Sequence, residues 1–196
     1  MSTNSYELSF ELPSLNETVE DLITDQFDSV IAVHSGVTTV TLTAEGEDCV
    51  SAAIEAVHAL RSIGAEPIRL VDDVVSRGEI ARRIGVTPQS VGQWIRGERH
   101  AESAFPTPYI LPDGGLWLWS EVVAALAARG EAIEELDYPS RRDIQVIGGV
   151  LAAYAIAAEY GWTSRFRATA GSLTTNQSRS IQQITPAESA SFGLAA

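Results

Sequence analysis

The chain contains no lysine: all thirteen basic side chains among its 196 residues are arginine. It has one cysteine, Cys49, which excludes an internal disulfide framework and any zinc site built from several thiolates. No apolar run approaches the roughly 18 residues that a spanning helix needs, so no membrane partner is expected. The segment Met1–Phe10 lacks the basic start and apolar core of a secretory signal. With the lone thiol, this sets the expectation of a reducing, cytoplasmic setting. The marks of catalysis are missing too. There is no phosphate-cradling glycine loop, no Ser-His-Asp order, and no carboxylate pair at a spacing that marks acid–base work. An enzyme is not expected. His34 and His58 fall in different elements with no third ligand in view, so neither a metal nor a cofactor is expected. Cys49 reads as a small buried residue.

What is present is enough for hydrophobic cores. Apolar residues make up 45% of the chain, and the length suits one large or two small domains. The net charge of −13 is unevenly spread. Residues 1–75 carry two Arg against fourteen Asp and Glu. Within residues 76–100, five Arg face two acids. The overall acidity argues against nucleic acid as a partner, but that local balance does not.

The first segment alternates strands and helices. Tyr6, Leu8, Phe10 and Leu12 share one face of a strand that Pro13 ends. Asn16 caps a helix through about Phe27, with Val19, Leu22, Ile23 and Phe27 on one side. Ser29–His34 and Val37–Thr43 read as strands joined at Gly36. Glu47–Ile63 is an amphipathic helix stopped by Gly64, and Glu66–Val71 a last strand. The order β-α-β-β-α-β predicts an α+β fold with a ferredoxin-like acidic domain over residues 1–74: one antiparallel sheet, both helices on one face. Dimerisation through the sheet or its edges is the expectation for such a domain by fold analogy.

A different pattern follows. Ser76 and Glu79 form a capping-box signature before a short helix, Arg77–Ile84. Gly85 breaks it. Thr87 as N-cap and Pro88 at the first helical position open a second helix that runs to about Arg96. Tyr109–Leu111 and Leu116–Trp119 flank Pro112-Asp113-Gly114-Gly115 and read as a hairpin. Of Trp117 and Trp119, one is expected in the core and the other partly exposed. Ser120 is the expected cap of a helix through about Arg129. Ser140 and Asp143 cap a further helix, Ile144–Tyr160, which is apolar on two sides and wants two partners. It makes residues 131–166 a C-terminal helical segment, and 167–196 a tail of low periodicity expected to be disordered.

Two helices crossing closely need a small residue on the first, and Ala81 supplies it. The turn needs positive φ, which Gly85 adopts freely. The second helix needs a buried aliphatic, Val91. In this stretch, GEIARRIGVTPQSVGQWIRGER, the sequence resembles the helix-turn-helix domains of the MerR and phage-excisionase superfamily. The following FPTPYILPDGGLWLWSEVVAALA resembles the rest of that domain. The likeness covers about residues 76–130 and gives the second domain, 75–130, as a winged helix-turn-helix.

The resemblance implies sequence-specific binding of double-stranded DNA. Gln89, Ser90 and Gln93 would face base edges in the major groove, where glutamine can pair two-pronged with adenine. Thr87 and the helix-start amides suit a phosphate. Arg96, Arg99 and His100 would hold the backbone, with Arg77 and Arg83 assisting. The wing tip is Asp113-Gly114-Gly115, so the cation that such wings often carry is absent. The expected function is a bacterial or phage-type transcriptional regulator acting as a homo-oligomer; no small-molecule effector can be named. There are two rivals: an architectural, excisionase-like DNA-bending factor that uses the same domain, and a protein-interaction module acting through the acidic N-terminal domain.

Overall fold

The structure is a computed structural model that describes residues 3–98, 104–111, 114–130 and 136–160. It is a mixed α and β fold with antiparallel sheets. The first six elements are β1 (Asn4–Leu12), α1 (Glu17–Gln26), β2 (Ser29–His34), β3 (Val37–Gly46), α2 (Cys49–Ser62) and β4 (Arg69–Leu70). Their sheet runs β2-β3-β1-β4, and each neighbouring pair is antiparallel. Alternation sets the register. Tyr6, Leu8, Phe10 and Leu12 are buried with Thr38, Val40 and Leu42 of β3 on the side that meets the helices. The opposite side presents Ser9 and Thr41, whose hydroxyls meet at 2.7 Å. Leu8, Phe10 and Val40 are wholly buried, each contributing about 1.5–3 kcal/mol relative to exposure.

The helices start where side chains satisfy free amides. Asn16 accepts from Val19 N at 3.0 Å, and Asp48 from Ser51 N at 2.8 Å, so α2 starts at Cys49 rather than at Glu47. Small residues on α2 (Ala52, Ala53, Ala56) let it lie close to the sheet. The approach is tight at Gly46, where a Cβ would sit 2.9 Å from both the Cβ and the amide nitrogen of Ala52.

The strand expected over 66–71 has only two residues in its ladder, Arg69 and Leu70. Pro67 lacks an amide donor. Single bonds from Ile68 N to Glu11 O and from Val71 N to Ser9 O flank the ladder, both at 2.8 Å. Further along β1, Asp137 takes the edge instead. It accepts from Glu7 N at 3.0 Å and donates to Ser5 O at 2.9 Å.

The next elements are β5 (Val74–Ser76), α3 (Arg77–Arg83), α4 (Pro88–Ile95), β6 (Leu116–Leu118) and α5 (Trp119–Ala127). They surround a second core of Val75, Ile80, Ala81, Val91, Trp94, Trp117, Trp119, Val122 and Leu126. Three expectations are corrected here. First, the ladder partner of β6 is β5; of the expected hairpin the described residues keep an antiparallel Ile110–Leu116 bridge, with Tyr109 N also donating to Leu116 O at 2.7 Å. Second, both Trp117 and Trp119 are buried; Trp117 donates to Pro106 O at 3.0 Å. Third, Ser120 is not a cap. α5 begins at Trp119 after Leu118, with no side-chain cap bond, because β6 runs straight into the helix.

The last described helix, α6 (Arg141–Glu159), starts with a reciprocal capping box between Ser140 and Asp143. Its Ile147 and Leu151 are buried in the first core. Val146, Ile156 and Tyr160 on its other sides are exposed. The rest of the expected C-terminal segment and the tail at 167–196 lie outside the described residues. Among the described residues no helix is long and apolar enough to cross a membrane.

Candidate functional site

The turn between α3 and α4 follows from local chemistry. Gly85 has φ +71°, a conformation costly for any residue with a Cβ. It lets Val86 N bond back to Ala81 O at 2.9 Å. Thr87 then caps α4 by accepting from Ser90 N at 3.2 Å, with Pro88 in the first turn. Ile80, Ala81, Val91 and Trp94 pin the two helices together from beneath. The remaining face of α4 points away from that core.

On that face lies a groove of about 320 Å³ lined by Arg77, Pro88, Gln89, Gly92, Gln93 and Arg96. Gly92 forms its floor. A Cβ there would meet Nη1 of Arg96 at 3.3 Å and Nη1 of Arg77 at 3.6 Å. Two guanidinium groups from different helices therefore converge over one glycine, with two glutamine amides beside them. Arg96 is held by Glu98 through bonds of 2.7 and 2.9 Å. That pairing raises the pKa of Arg96 and lowers that of Glu98. No hydrogen bond or ion pair to Arg77 is found among the described residues. The arrangement offers positive charge and amide donors and acceptors in one concave strip, suited to an anionic ligand with polar edges.

Comparison of the chain with protein-family models, with curated proteins and with solved structures found no match.

Four of the nine residues expected to touch a ligand line this groove, Arg77, Gln89, Gln93 and Arg96, while Thr87 and Ser90 lie at the start of α4. The Ser90 hydroxyl is shared with Thr87 at 3.0 Å, so it supports the cap as well. Arg99 and His100 lie outside the described residues, as does Asp113 of the wing tip. Arg83 turns elsewhere. It binds Asp73 through bonds of 2.6 and 2.9 Å and stacks 4.7 Å above the Trp119 ring. Burial works against its charge but is outweighed by hydrogen bonds to Asp73 and Glu79, so its pKa is raised.

Glu79 does not return to cap the α3 start as its spacing predicts. Its carboxylate is taken by Arg82 and Arg83, and hydrogen bonds from Arg82 and then Arg83 hold its pKa down at about 2. Sequence reasoning missed Glu98 as the counter-ion of Arg96, although its place two residues on was a signal. The convergence of arginines above Gly92 has no sequence signal, since Arg77 lies fifteen positions away.

His58 and Cys49 stay outside the site. His58 Nε2 meets the Tyr154 hydroxyl at 2.5 Å, joining α2 to α6. Cys49 is buried. Among the described residues no group of three or more His, Cys, Asp or Glu is placed to hold a metal ion.

Proposed function

We propose that this chain reads double-stranded DNA with the α3–α4 face, as a winged helix-turn-helix of the MerR and excisionase kind, and acts as a transcriptional regulator in the cytoplasm. The observation that carries the reading is the groove over Gly92, where Arg77 and Arg96 converge beside Gln89 and Gln93. The β5–β6 ladder and the Ile110–Leu116 bridge support the winged reading of residues 75–130. The sheet order β2-β3-β1-β4 supports the ferredoxin-like reading of residues 1–74.

In this mechanism α4 enters the major groove with its N-terminal half toward the bases. Gln89 and Gln93 present amides that match the donor and acceptor of adenine. Arg77 and Arg96 flank them and take backbone phosphates, and the Thr87 end of α4 offers free amides to a third. Arg96 exchanges the Glu98 carboxylate for a phosphate, trading one charge-assisted partner for another. Arg83 belongs to the scaffold, not to the reading face.

The test is salt-titrated binding to a library of random duplexes. Wild type should enrich a motif. Gln93→Ala should relax it at particular positions, at about 1–3 kcal/mol each. Arg96→Ala should weaken all sequences and reduce the log–log salt slope by about 1. Arg82→Ala, on the paired outer side of α3, should change neither. Weak binding that ignores both Gln93→Ala and Arg96→Ala would remove this face as the working surface.

A further inference from the structure

β2 is the terminal strand of the sheet, and among the described residues nothing pairs with its outer edge. The hydrogen-bond parity shows which groups that edge presents. Thr43 N donates to Asp28 O at 3.2 Å, so Asp28 and Thr43 form a hydrogen-bonded pair in the β2–β3 register. Alternation along an antiparallel ladder then turns the backbone of Val30, Ala32 and His34 toward β3. The N–H and C=O groups of Ser29, Ile31 and Val33 point outward.

Native sheets protect such an edge with charges, proline, a bulge or a covering segment. None is here. Residues 29–44, sixteen in succession, contain no Asp, Glu, Lys or Arg. No stretch of the chain without charge is longer, and it lies in the segment that carries fourteen acids. Large apolar side chains accompany the bare backbone: Val30 is 67% exposed and Val33 68%. Leu22 of the neighbouring helix α1 is exposed too.

We propose that the β2 edge pairs with the β2 edge of a second copy of this chain, in antiparallel register about a two-fold axis, joining two sheets into one. Charge selects the occupant. Two copies this acidic repel one another over most of the first 75 residues, and the β2–β3 hairpin is where they can approach without juxtaposing carboxylates. Antiparallel pairing is self-complementary: the outward groups of Ser29, Ile31 and Val33 meet the same groups of the other copy. Val30 and Ala32 come together on one face of the joined sheet, Ile31 and Val33 on the other. The assembly also closes. At the opposite side of the sheet, β4 contributes two ladder residues and lies against α6, so no second long edge invites a third copy. The proposal does not depend on the DNA-reading face.

The experiment is sedimentation equilibrium on the full chain at tens of micromolar, for wild type, Val30→Lys, Val33→Lys and Val146→Lys, with a thermal melt of each. Wild type and Val146→Lys, which places the charge on α6, should sediment at twice the chain mass of 21.0 kDa. Val30→Lys and Val33→Lys should sediment at the chain mass itself, with a dimer dissociation constant raised at least tenfold and the fold retained, because both side chains already face solvent. Amide exchange provides a second readout: Ile31 and Val33 should gain protection as protein concentration rises. A wild type that is monomeric throughout, a dimer that survives both edge charges, or a dimer that Val146→Lys alone dissolves would each overturn the proposal.

Discussion

Arg83, at the end of α3, grips Asp73 just ahead of β5 through two charge-assisted bonds of 2.6 and 2.9 Å. Asp73 is engaged a second time, because its carbonyl accepts from Trp119 N at 2.9 Å. One residue thus ties α3 to the start of α5. Both side chains are partly shielded, 27% and 34% exposed. The pair lies between an exposed ion pair, worth little, and a buried one. Asp73→Asn should therefore lower the unfolding free energy by about 1–2 kcal/mol. Glu98→Gln, which weakens a solvent-exposed pair, should cost less than Asp73→Asn. Urea denaturation of both variants checks this; equal midpoints would show that Arg83 holds nothing together.

Gly92 separates stability from binding. It is mid-helical in α4, where glycine costs about 1 kcal/mol relative to alanine. The atoms a Cβ would meet most closely are the far ends of two flexible arginine side chains, at 3.3 and 3.6 Å. Gly92→Ala should leave the melting temperature unchanged or raise it. The displaced guanidinium groups should at the same time weaken DNA binding severalfold. Melting and binding measured on one preparation decide the matter, and a variant that loses fold and binding together would give Gly92 a purely structural role.

Cys49 should be inert. Burial, and after it the nearby carboxylates Asp143, Asp48 and Asp137, push its thiol from an ordinary 9.0 up to about 12. A raised folded pKa contributes stability that is fully present below the unfolded value and is lost as pH rises toward the folded one. The window is therefore alkaline, from about 9 to about 12. At pH 8 a thiol-alkylating reagent should label the native chain orders of magnitude more slowly than the urea-unfolded chain. Rapid labelling of native protein would contradict the burial.

Local signals were legible where a single element carries its own reason. The two-residue alternation of Tyr6–Leu12 gave β1, and side-chain oxygens at Asn16, Thr87 and Ser140 gave three helix starts. Gly85 gave the positive-φ turn between α3 and α4. Among candidate contacts, Gln89 and Gln93 were legible because the period of a short capped helix assigns its outer face. Pairing between distant short segments was not legible. β5 and β6 have three residues each, too few for a period, and what unites them is the core beneath Val75 and Trp117. The same core buries Trp119 and so moves the start of α5 off Ser120.

The order of the first six strands and helices, the caps at Asn16, Thr87 and Ser140, the turn at Gly85 and the uncharged stretch 29–44 are written in the sequence by itself, since each depends on neighbours within a few positions. Tertiary structure alone decided which charges are free. Arg77, Arg83 and Arg96 are chemically alike and lie within one short stretch. Folding commits Arg83 to Asp73 and Trp119, lends Arg96 to Glu98, and brings Arg77 and Arg96 together over Gly92. An ion pair is set by distance in space, and sequence spacing fixes that distance only within one helix or one turn.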